Sequence, residues 1–500
     1  MFSPVLILLL AIAAFFLKSL IRGVRSPLAH IPGPWHTRFT NISLRIATIK
    51  GRRIHHVESL HQRYGPIVRL SPTQLDVSEL SAFSQIHRIG SHFHKSPWYE
   101  STHRGRKPGI FAMQDPGQHA QRRRLFARAF SYTSISTHWE AVIREKVSLA
   151  VQRIRESAIE GGRDQSLTTN DISSMNPSHG ADVLKWWTLM ATDVIAHLSF
   201  GESFQMLELG QQTAYIDALQ SANLSSVLRS EAPLVWHIAY WVPFGKLHAI
   251  TQAEKVVLKY GARAIQNMRR EGGGIKNLFG QMEAAAEKDD GSITDDEIET
   301  EAGNLIVAGS DTTAVTLTYL VWAVLKQPAL QKELEAEVAK LSDALRLEEL
   351  IQNMPLLNSV MEETLRLYGA APGALPRSVP KEGAVFGGYQ IPGGVEVSTQ
   401  AYTIHRHPDL WTDPLSFNGY RFLDKSTMTS AQKTAMHPFG AGSRSCIGLH
   451  LAWMELRLGA AMFFRDCRGA RLAPCMTDEM MEVDNRFLIS PKGHCCFIVL

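Results

Sequence analysis

Helical periodicity dominates the hydrophobic pattern of this chain. Apolar residues recur every three to four positions through much of residues 138–270, and two segments, 183–200 and 253–268, show the pattern most clearly. Alternating patterns are short, and the stretches 64–77 and 386–394 each predict a hairpin. The chain is therefore predicted to be mainly α-helical with small β-sheets.

One predicted helix is far longer than the others. Thr294 and Glu297 form a capping-box pattern, and the apolar periodicity continues to residue 327, where Pro328 ends it. The helix would be about 50 Å long, so it must cross the centre of a folded body. Its middle, residues 308–313, reads AGSDTT, which places an acid and three hydroxyls in an apolar helix. A paired core aspartate is one explanation, and a functional acid is the other.

The N-terminal pattern predicts a membrane anchor. Residues 5–17 are uninterrupted apolar, and Lys18, Arg22 and Arg25 follow them, whereas almost no positive charge precedes them. By the positive-inside rule the rest of the chain then stays in the cytosol. A cleaved signal peptide is the alternative. We predict an anchor over residues 1–25 and a basic, proline-containing hinge over residues 26–36.

Composition and charge exclude several classes of protein. The chain has 45% hydrophobic and 20% charged residues and a net charge of +4, which gives no reason to expect a nucleic-acid partner. Its five cysteines have no paired spacing, which argues against a disulfide framework or a zinc site. A reducing compartment is the simpler expectation.

One of these cysteines lies in a loop of small residues. Cys446 is surrounded by Gly440, Gly442 and Gly448, with Arg444 two positions before it and a helical pattern after it. Glycines allow the backbone to approach a large ligand, and amides at a helix start can lower the pKa of a thiol. The loop suits a thiolate ligand of iron, although a buried structural cysteine is the commoner role for a lone cysteine.

The pattern Phe439-x-x-Gly442-x-Arg444-x-Cys446-x-Gly448 resembles the haem-binding loop of the cytochrome P450 family. The resemblance implies haem b with Cys446 as its axial ligand, and a loop in which Phe439 and Arg444 contact the cofactor. It also implies that residues 37–500 form one catalytic body, despite a length that would suit several domains.

The hexad AGSDTT of the long predicted helix, residues 308–313, is similar to the oxygen-activation motif of this family. The resemblance implies that Thr312 donates a proton to bound dioxygen and that Asp311 connects this position to solvent protons. Gly309 would leave room for a ligand beside the backbone. By this resemblance, the cysteine would bind the iron on one face of the haem, and the hexad would supply protons on the other face.

Further basic residues match positions that bind the haem propionates in the family. His119 and Arg123 are four apart on a predicted helix, where three arginines would ordinarily form a solvated face. The resemblance places both side chains, and Arg377, against propionates.

The segment Glu363-Thr364-Leu365-Arg366 matches a structural motif of the family. Glu363 and Arg366 would ordinarily form a surface ion pair, whereas the resemblance implies a buried pair that binds Arg421. The two residues before Arg421 are Gly419-Tyr420, where the family has Pro-Glu.

These resemblances imply a monooxygenase that inserts one atom of O2 into a lipophilic small molecule, as in filamentous-fungal secondary metabolism. No dinucleotide fingerprint is present, so electrons would come from NADPH-cytochrome P450 reductase, with cytochrome b5 as a further donor. We expect a single-pass protein of the endoplasmic reticulum membrane with its catalytic body in the cytosol. Substrate would contact residues 95–115, 203–250, 370–376 and 482–490. The alternatives are a haem-thiolate isomerase or dehydratase and a membrane-tethered haem sensor.

Overall fold

Helices make up most of the chain in the computed structural model, which describes residues 10, 13, 14, 17–21, 23–102, 107–163, 180–243, 245–253, 255–257, 277–288 and 293–500. The first half contains α1 (Ile42–Ile49), α2 (Arg53–Tyr64), α3 (Leu80–His87), α4 (Pro116–Ala127), α5 (Tyr132–His138), α6 (Glu140–Arg163), α7 (Val183–Phe200), α8 (Met206–Leu209), α9 (Ala214–Glu231) and α10 (Pro233–Trp241). The second half contains α11 (Leu278–Lys288), α12 (Asp295–Leu325), α13 (Pro328–Val338), α14 (Leu347–Gln352), α15 (Pro355–Tyr368), α16 (Ala401–Ile404), α17 (Ser430–Ala435) and α18 (Leu449–Asp466). The prediction of a mainly helical protein is confirmed.

The sheets are small, and two of them contribute buried residues such as Val483 and Ile498 to the edge of the helical core. Strands β1 (Ile67–Ser71), β2 (Gln74–Val77), β7 (Glu396–Ser398) and β4 (Arg377–Ser378) form a four-stranded sheet in that order, in which only β2 and β7 are parallel. Strands β5 (Ala384–Phe386) and β6 (Tyr389–Ile391) form a hairpin, and β9 (Val483–Asn485) pairs with β10 (Ile489–Pro491). A third sheet joins β3 (Ala181–Asp182), β11 (Phe497–Val499) and β8 (Arg471–Leu472). Both predicted hairpins are present.

Helix α12 forms the centre of the core, as its length predicts. It packs along α7 and also contacts α15 and α18, and its N-terminus has the predicted capping box between Thr294 and Glu297. Among the described residues, α12 is the one helix long and apolar enough to cross a membrane, but 67% of its apolar window is buried. Its hydrophobicity is therefore explained by packing inside the protein.

The predicted anchor lies largely outside the described residues, which include only residues 10, 13, 14, 17–21 and 23–25 of this segment. The segment predicted as a hinge is described, and it is docked on the body. Leu28 and Ile31 are buried, and the buried Arg69 guanidinium donates to the carbonyls of both, at 2.9 Å and 2.6 Å. Arg69 also donates to the carbonyl of Pro34 at 3.2 Å. Residues 28–34 are therefore packed on the body, because Arg69 fixes them to β1, and the hinge over residues 26–36 stays a prediction.

Candidate active site

The glycine-rich loop holds Cys446 at the start of α18. The Cys446 amide donates to the Phe439 carbonyl at 2.8 Å, which closes the loop just before the helix. Gly440 and Gly442 both have positive φ angles, of 70° and 65°. A Cβ atom at Gly442 would lie 1.9 Å from the carbonyl oxygen of His87, so no other residue fits there. The loop is thus built for close backbone approach.

The surroundings of Cys446 fit a metal-bound thiolate. Its side chain is accessible although the helix after it is buried. Although the residue is accessible, the protein atoms around the sulfur desolvate the thiol and raise its pKa, whereas the Gly448 amide and the Arg123 charge act to lower it. A metal ion that binds the sulfur would displace the proton and remove this penalty. Arg123 is held close enough to lower the pKa of the thiol, because its guanidinium donates to the carbonyl of the preceding residue, Ser445, at 2.8 Å.

Five basic side chains gather beside this loop. Burial lowers the pKa of Lys95 to about 6, with the charges of Arg377 and Arg444 contributing. Burial, followed by the charges of Arg444, Lys95, Arg123 and Arg377, lowers the pKa of His119 to about 3. Burial and then the charge of Arg377 lower the pKa of Arg444 to about 10. Lys95, His119 and Arg444 are thus each less stable as cations, first because they are buried and then because other cations of this group are close.

This cation cluster (Lys95, His119, Arg123, Arg377 and Arg444) fits the two propionates of haem. Within the described part of the chain, none of its lysine or arginine side chains makes an ion pair within 4.0 Å. Arg444 instead donates to the carbonyls of Met113 and Gln114, at 2.7 Å and 3.2 Å. Two carboxylates would neutralise this surplus of positive charge, and the guanidinium fork matches their geometry. The residues present therefore fit haem.

Lys95 is a member of the cluster that the sequence analysis missed. It is 7% exposed, its ammonium donates to the Phe111 carbonyl, and it lies 4.3 Å from the ring centroid of Tyr99. The Tyr99 hydroxyl in turn accepts a hydrogen bond from Arg377 at 3.4 Å. Lys95 lies in a loop whose sequence has no periodicity, so the sequence does not indicate that this lysine is buried. Its burial results from its position between the rings of Tyr99 and Phe111.

The hexad of α12 presents one accessible turn. Ala308 is exposed, whereas Leu305 and Ile306 before it and Ala314 and Val315 after it are buried. The Thr312 hydroxyl donates to the Ala308 carbonyl at 2.7 Å, so its oxygen can still accept a proton donor. Burial raises the pKa of Asp311 to about 6. Asp311 can therefore take up and release a proton near neutral pH.

Gly309 has a packing role that we did not predict. A Cβ atom at this position would lie 2.8 Å from Cγ1 of Ile195 on α7. The close approach of α7 and α12 accounts for the glycine without any ligand. Contact between Gly309 and the cofactor therefore stays a prediction.

A buried carboxyl connects α12 to α18. The Thr313 hydroxyl donates to Oε2 of Glu455 at 2.9 Å, and Oε1 of Glu455 has no hydrogen-bond partner within the described residues. Burial raises the pKa of Glu455 to about 8, so this acid is largely protonated at neutral pH. The bond joins the helix of the hexad to the helix that follows Cys446.

Glu363 is the centre of a buried ion network. Its carboxylate accepts two hydrogen bonds of 2.7 Å from Arg366, a bifurcated one of 3.0 Å and 3.2 Å from Arg421 and one of 2.9 Å from the Asn418 amide. Arg366 also donates to the carbonyls of His405 and Pro414, both at 2.7 Å. The network fixes the segment 405–421 against α15.

The replacement of Pro-Glu by Gly419-Tyr420 does not open this network. A Cβ atom at Gly419 would lie 2.8 Å from both methyl carbons of Leu330 and 3.1 Å from Val360. The glycine therefore lets the segment pack closely on α13 and α15. Tyr420 lies at the surface beside Glu333. Burial is the larger cause that raises the pKa of the Tyr420 hydroxyl, and Glu333 is the second.

A narrow cleft collects residues from all four segments that we predicted to contact substrate. Its lining includes Trp98, Glu231, residues 371 and 373–376, and residues 485–487, together with Thr48, Arg53 and Gln74. Pro376 and Trp98 directly adjoin Arg377 and Tyr99, so the cleft borders the cation cluster.

Comparison with known proteins agrees with this site. The family model for Cytochrome P450 matches residues 31–494. The chain is 41% identical to Cytochrome P450 monooxygenase tazI of Aspergillus terreus over 99% of this chain and 98% of the relative. It is 39% identical to Cytochrome P450 monooxygenase stcB of Emericella nidulans over 95% and 89% of the two chains. It is also 31% identical to the Methylphloroacetophenone oxidase of Cladonia uncialis over 78% and 84%. The resemblance predicted from the cysteine loop and the hexad is confirmed, and the chain belongs to the cytochrome P450 family of monooxygenases.

Proposed function

We propose that this protein is a haem b monooxygenase that oxidises a lipophilic intermediate of secondary metabolism. The observation that carries the proposal is the arrangement of Cys446 and five clustered basic side chains near the long helix that contains Asp311 and Thr312. One oxygen atom of O2 enters a C–H or C=C bond of the substrate. The other leaves as water, with two electrons from NADPH and two protons.

The protein side chains divide this reaction between them. When bound, haem supplies the iron that activates dioxygen, with electron density from a cysteine thiolate. Cys446 would hold the haem iron, while Lys95, Arg123, Arg377 and Arg444 would bind the propionates. Thr312 would donate a proton through its hydroxyl.

Asp311 supplies the next proton to Thr312. Its pKa of about 6, raised by burial, keeps part of its population protonated near pH 7. A carboxyl with the ordinary pKa of aspartate would be almost wholly ionised at this pH and would deliver protons less readily.

We further propose that the protein is anchored in the endoplasmic reticulum membrane by residues 1–25 and faces the cytosol. Helix α9 packs against both α1 and α10, and together these helices carry large exposed apolar side chains. On these helices Ile42 is 56% exposed, Leu234 73% and Trp241 79%, which is unusual for a surface in water. A bilayer would cover this surface and bring the protein near NADPH-cytochrome P450 reductase and cytochrome b5.

Thr312→Ala tests the proposed proton delivery. In membranes with the reductase and NADPH, we expect haem binding to be retained, product to fall by about tenfold or more and hydrogen peroxide to rise. Thr316→Ala is the matched control, because its hydroxyl donates to the Thr312 carbonyl at 2.8 Å inside the core. Unchanged product with Thr312→Ala would contradict the monooxygenase mechanism and favour an isomerase or dehydratase, whereas haem binding without product in both proteins would favour a haem sensor.

A further inference from the structure

His405 is a buried histidine that the oxidation chemistry described above does not use. It lies directly after α16, where its amide donates to the Ala401 carbonyl at 2.8 Å. The residue is only 2% exposed. A buried imidazole needs a hydrogen-bond partner for each ring nitrogen, because water does not reach either of them. The two partners of this ring therefore indicate which parts of the protein it connects.

Both ring nitrogens of His405 have partners, and the partners belong to distant parts of the chain. Nε2 accepts a hydrogen bond from the His437 amide at 3.2 Å. Nδ1 lies 3.1 Å from the Arg366 carbonyl oxygen. Because Nε2 is an acceptor, the proton of the neutral ring is on Nδ1, which donates it to that carbonyl. His405 thus bridges the last turn of α15 and residue 437.

The surroundings of His405 keep its ring neutral. Burial is the main cause that lowers the pKa of His405 well below its usual value, and His437 and Arg406 are further causes. A second proton would lie on Nε2 and point at the amide hydrogen of His437. The ring therefore keeps an acceptor at Nε2 near neutral pH.

The bond to His437 acts on the start of the cysteine loop (residues 437–446). The His437 carbonyl accepts a hydrogen bond from the Gly440 amide at 2.9 Å, which forms a turn that contains Phe439. The Phe439 carbonyl accepts the amide of Cys446 at 2.8 Å. These hydrogen bonds in series connect the His405 ring with the backbone of Cys446.

The two ends of the cysteine loop are fixed by different contacts. Near its far end, Gly442 lies against the His87 carbonyl. At its start, the His437 ring stacks on Phe83, with ring centroids 3.9 Å apart. Stacked rings tolerate several offsets, whereas a hydrogen bond requires a narrow range of distance and angle. The bond from His405 therefore fixes the start of the loop more narrowly than the stacking does.

The other end of this bridge is attached to the buried ion network of Glu363. The Arg366 guanidinium donates to the His405 carbonyl at 2.7 Å, while the Arg366 carbonyl accepts from the His405 ring. Arg366 is itself paired with Glu363 at 2.7 Å, and both side chains are fully buried. His405 is thus held at two points by a residue whose position the ion pair fixes.

We propose that His405 is a positioning residue for the haem ligand Cys446. Its Nε2 atom fixes the turn at the start of the cysteine loop, and this turn fixes the backbone of Cys446. The role is to hold the sulfur in the position of a haem ligand, without contact with substrate or oxygen. This inference rests on the proposed function, because it concerns the ligand of the same haem.

Two substitutions separate the two bonds of the ring. His405→Gln places a carbonyl oxygen near the position of Nε2, where it can still accept the His437 amide. His405→Asn places its amide group near the position of Nδ1 and is too short to reach His437. His55→Asn is the matched control, because it removes an Nε2 bond of 2.9 Å to the Val483 carbonyl in β9 instead of a bond to the cysteine loop.

The carbonyl spectrum of the reduced full-length haem protein measures thiolate ligation over time. We expect the red-shifted band to decay about tenfold faster in His405→Asn than in wild type, because the His437 amide is left without a partner in the core. His405→Gln and His55→Asn should stay within about threefold of the wild-type rate. Hydrogen exchange of the peptide 435–440 should likewise be faster in His405→Asn and nearly normal in His405→Gln.

The variants give outcomes that decide the proposal. A band that lasts as long in His405→Asn as in wild type would overturn it. A band that decays as fast in His405→Gln or His55→Asn as in His405→Asn would overturn it as well, and the His405→Gln result decides alone if His405→Asn does not fold. Absence of the red-shifted band from the wild-type protein would instead refute the proposed function, so the two failures are distinguishable.

Discussion

Replacement of Glu363 by glutamine should destabilise the protein severely, although it exchanges a single heavy atom, an oxygen for a nitrogen. The carboxylate is fully buried and binds two guanidinium groups, Arg366 at 2.7 Å and Arg421 at 3.0 Å. Loss of its charge leaves both cations in the interior without a counter-charge. Breaking a buried pair in this way costs about 3–5 kcal/mol, against a typical total stability of about 5–15 kcal/mol. We therefore expect Glu363→Gln to lose about a fifth or more of its stability and to retain haem poorly.

The neighbouring residue provides a matched control for this change. Glu362 pairs with Lys425 at the surface, where the lysine side chain is 56% exposed. An exposed pair contributes at most about 1 kcal/mol, so Glu362→Gln should be nearly neutral. Urea unfolding followed by circular dichroism, with haem absorbance recorded in parallel, measures both variants. If Glu363→Gln lay within about 1 kcal/mol of wild type, the buried network would not hold the segment 405–421 as we infer.

The remaining predictions concern two residues that the sequence analysis did not single out. Lys95→Met should speed the transfer of haem to excess apomyoglobin by about tenfold, because one propionate loses its cation, whereas the exposed Lys50→Met should not. A normal transfer rate would remove Lys95 from the propionate site. Burial raises the pKa of Glu455 to about 8, so its carboxyl must bind a proton when the protein folds. The stability of the wild-type protein should therefore fall as pH rises from about 5 to 8. Glu455→Gln should flatten this dependence by at most about 1.4 kcal/mol per pH unit in urea titrations, and an unchanged slope would show that Glu455 is ionised in the folded protein.

Local sequence signals predicted the helices and the close turns of the cysteine loop well. Residues 183–200 were predicted as a helix and form α7. This prediction succeeded because an N-cap residue and the spacing of apolar residues are both local properties of the sequence. The capping box at Thr294 and the stop at Pro328 likewise define α12. Cys446 could be singled out for the same reason, since the glycines that shape its loop lie within six residues of it.

Features that depend on contacts distant in sequence escaped prediction. The burial of Lys95 depends on a loop that wraps it between Tyr99 and Phe111, and no periodicity announces this. The docking of residues 28–34 depends on Arg69, which lies more than thirty positions away in a strand. Gly309 was interpreted as space for a ligand because its packing partner, Ile195, belongs to another helix. In each case the local pattern was compatible with several environments, and tertiary packing selected one.

The most direct test of the account is the carbonyl spectrum of the reduced Cys446→Ser protein. Cysteine thiolate ligation gives the carbonyl complex of the reduced protein its red-shifted band. We expect the band in wild type and in Cys475→Ser, whose cysteine is half-buried elsewhere, and its loss in Cys446→Ser with the fold intact by circular dichroism. A red-shifted band that persists in Cys446→Ser would contradict the assignment of Cys446 as the haem ligand.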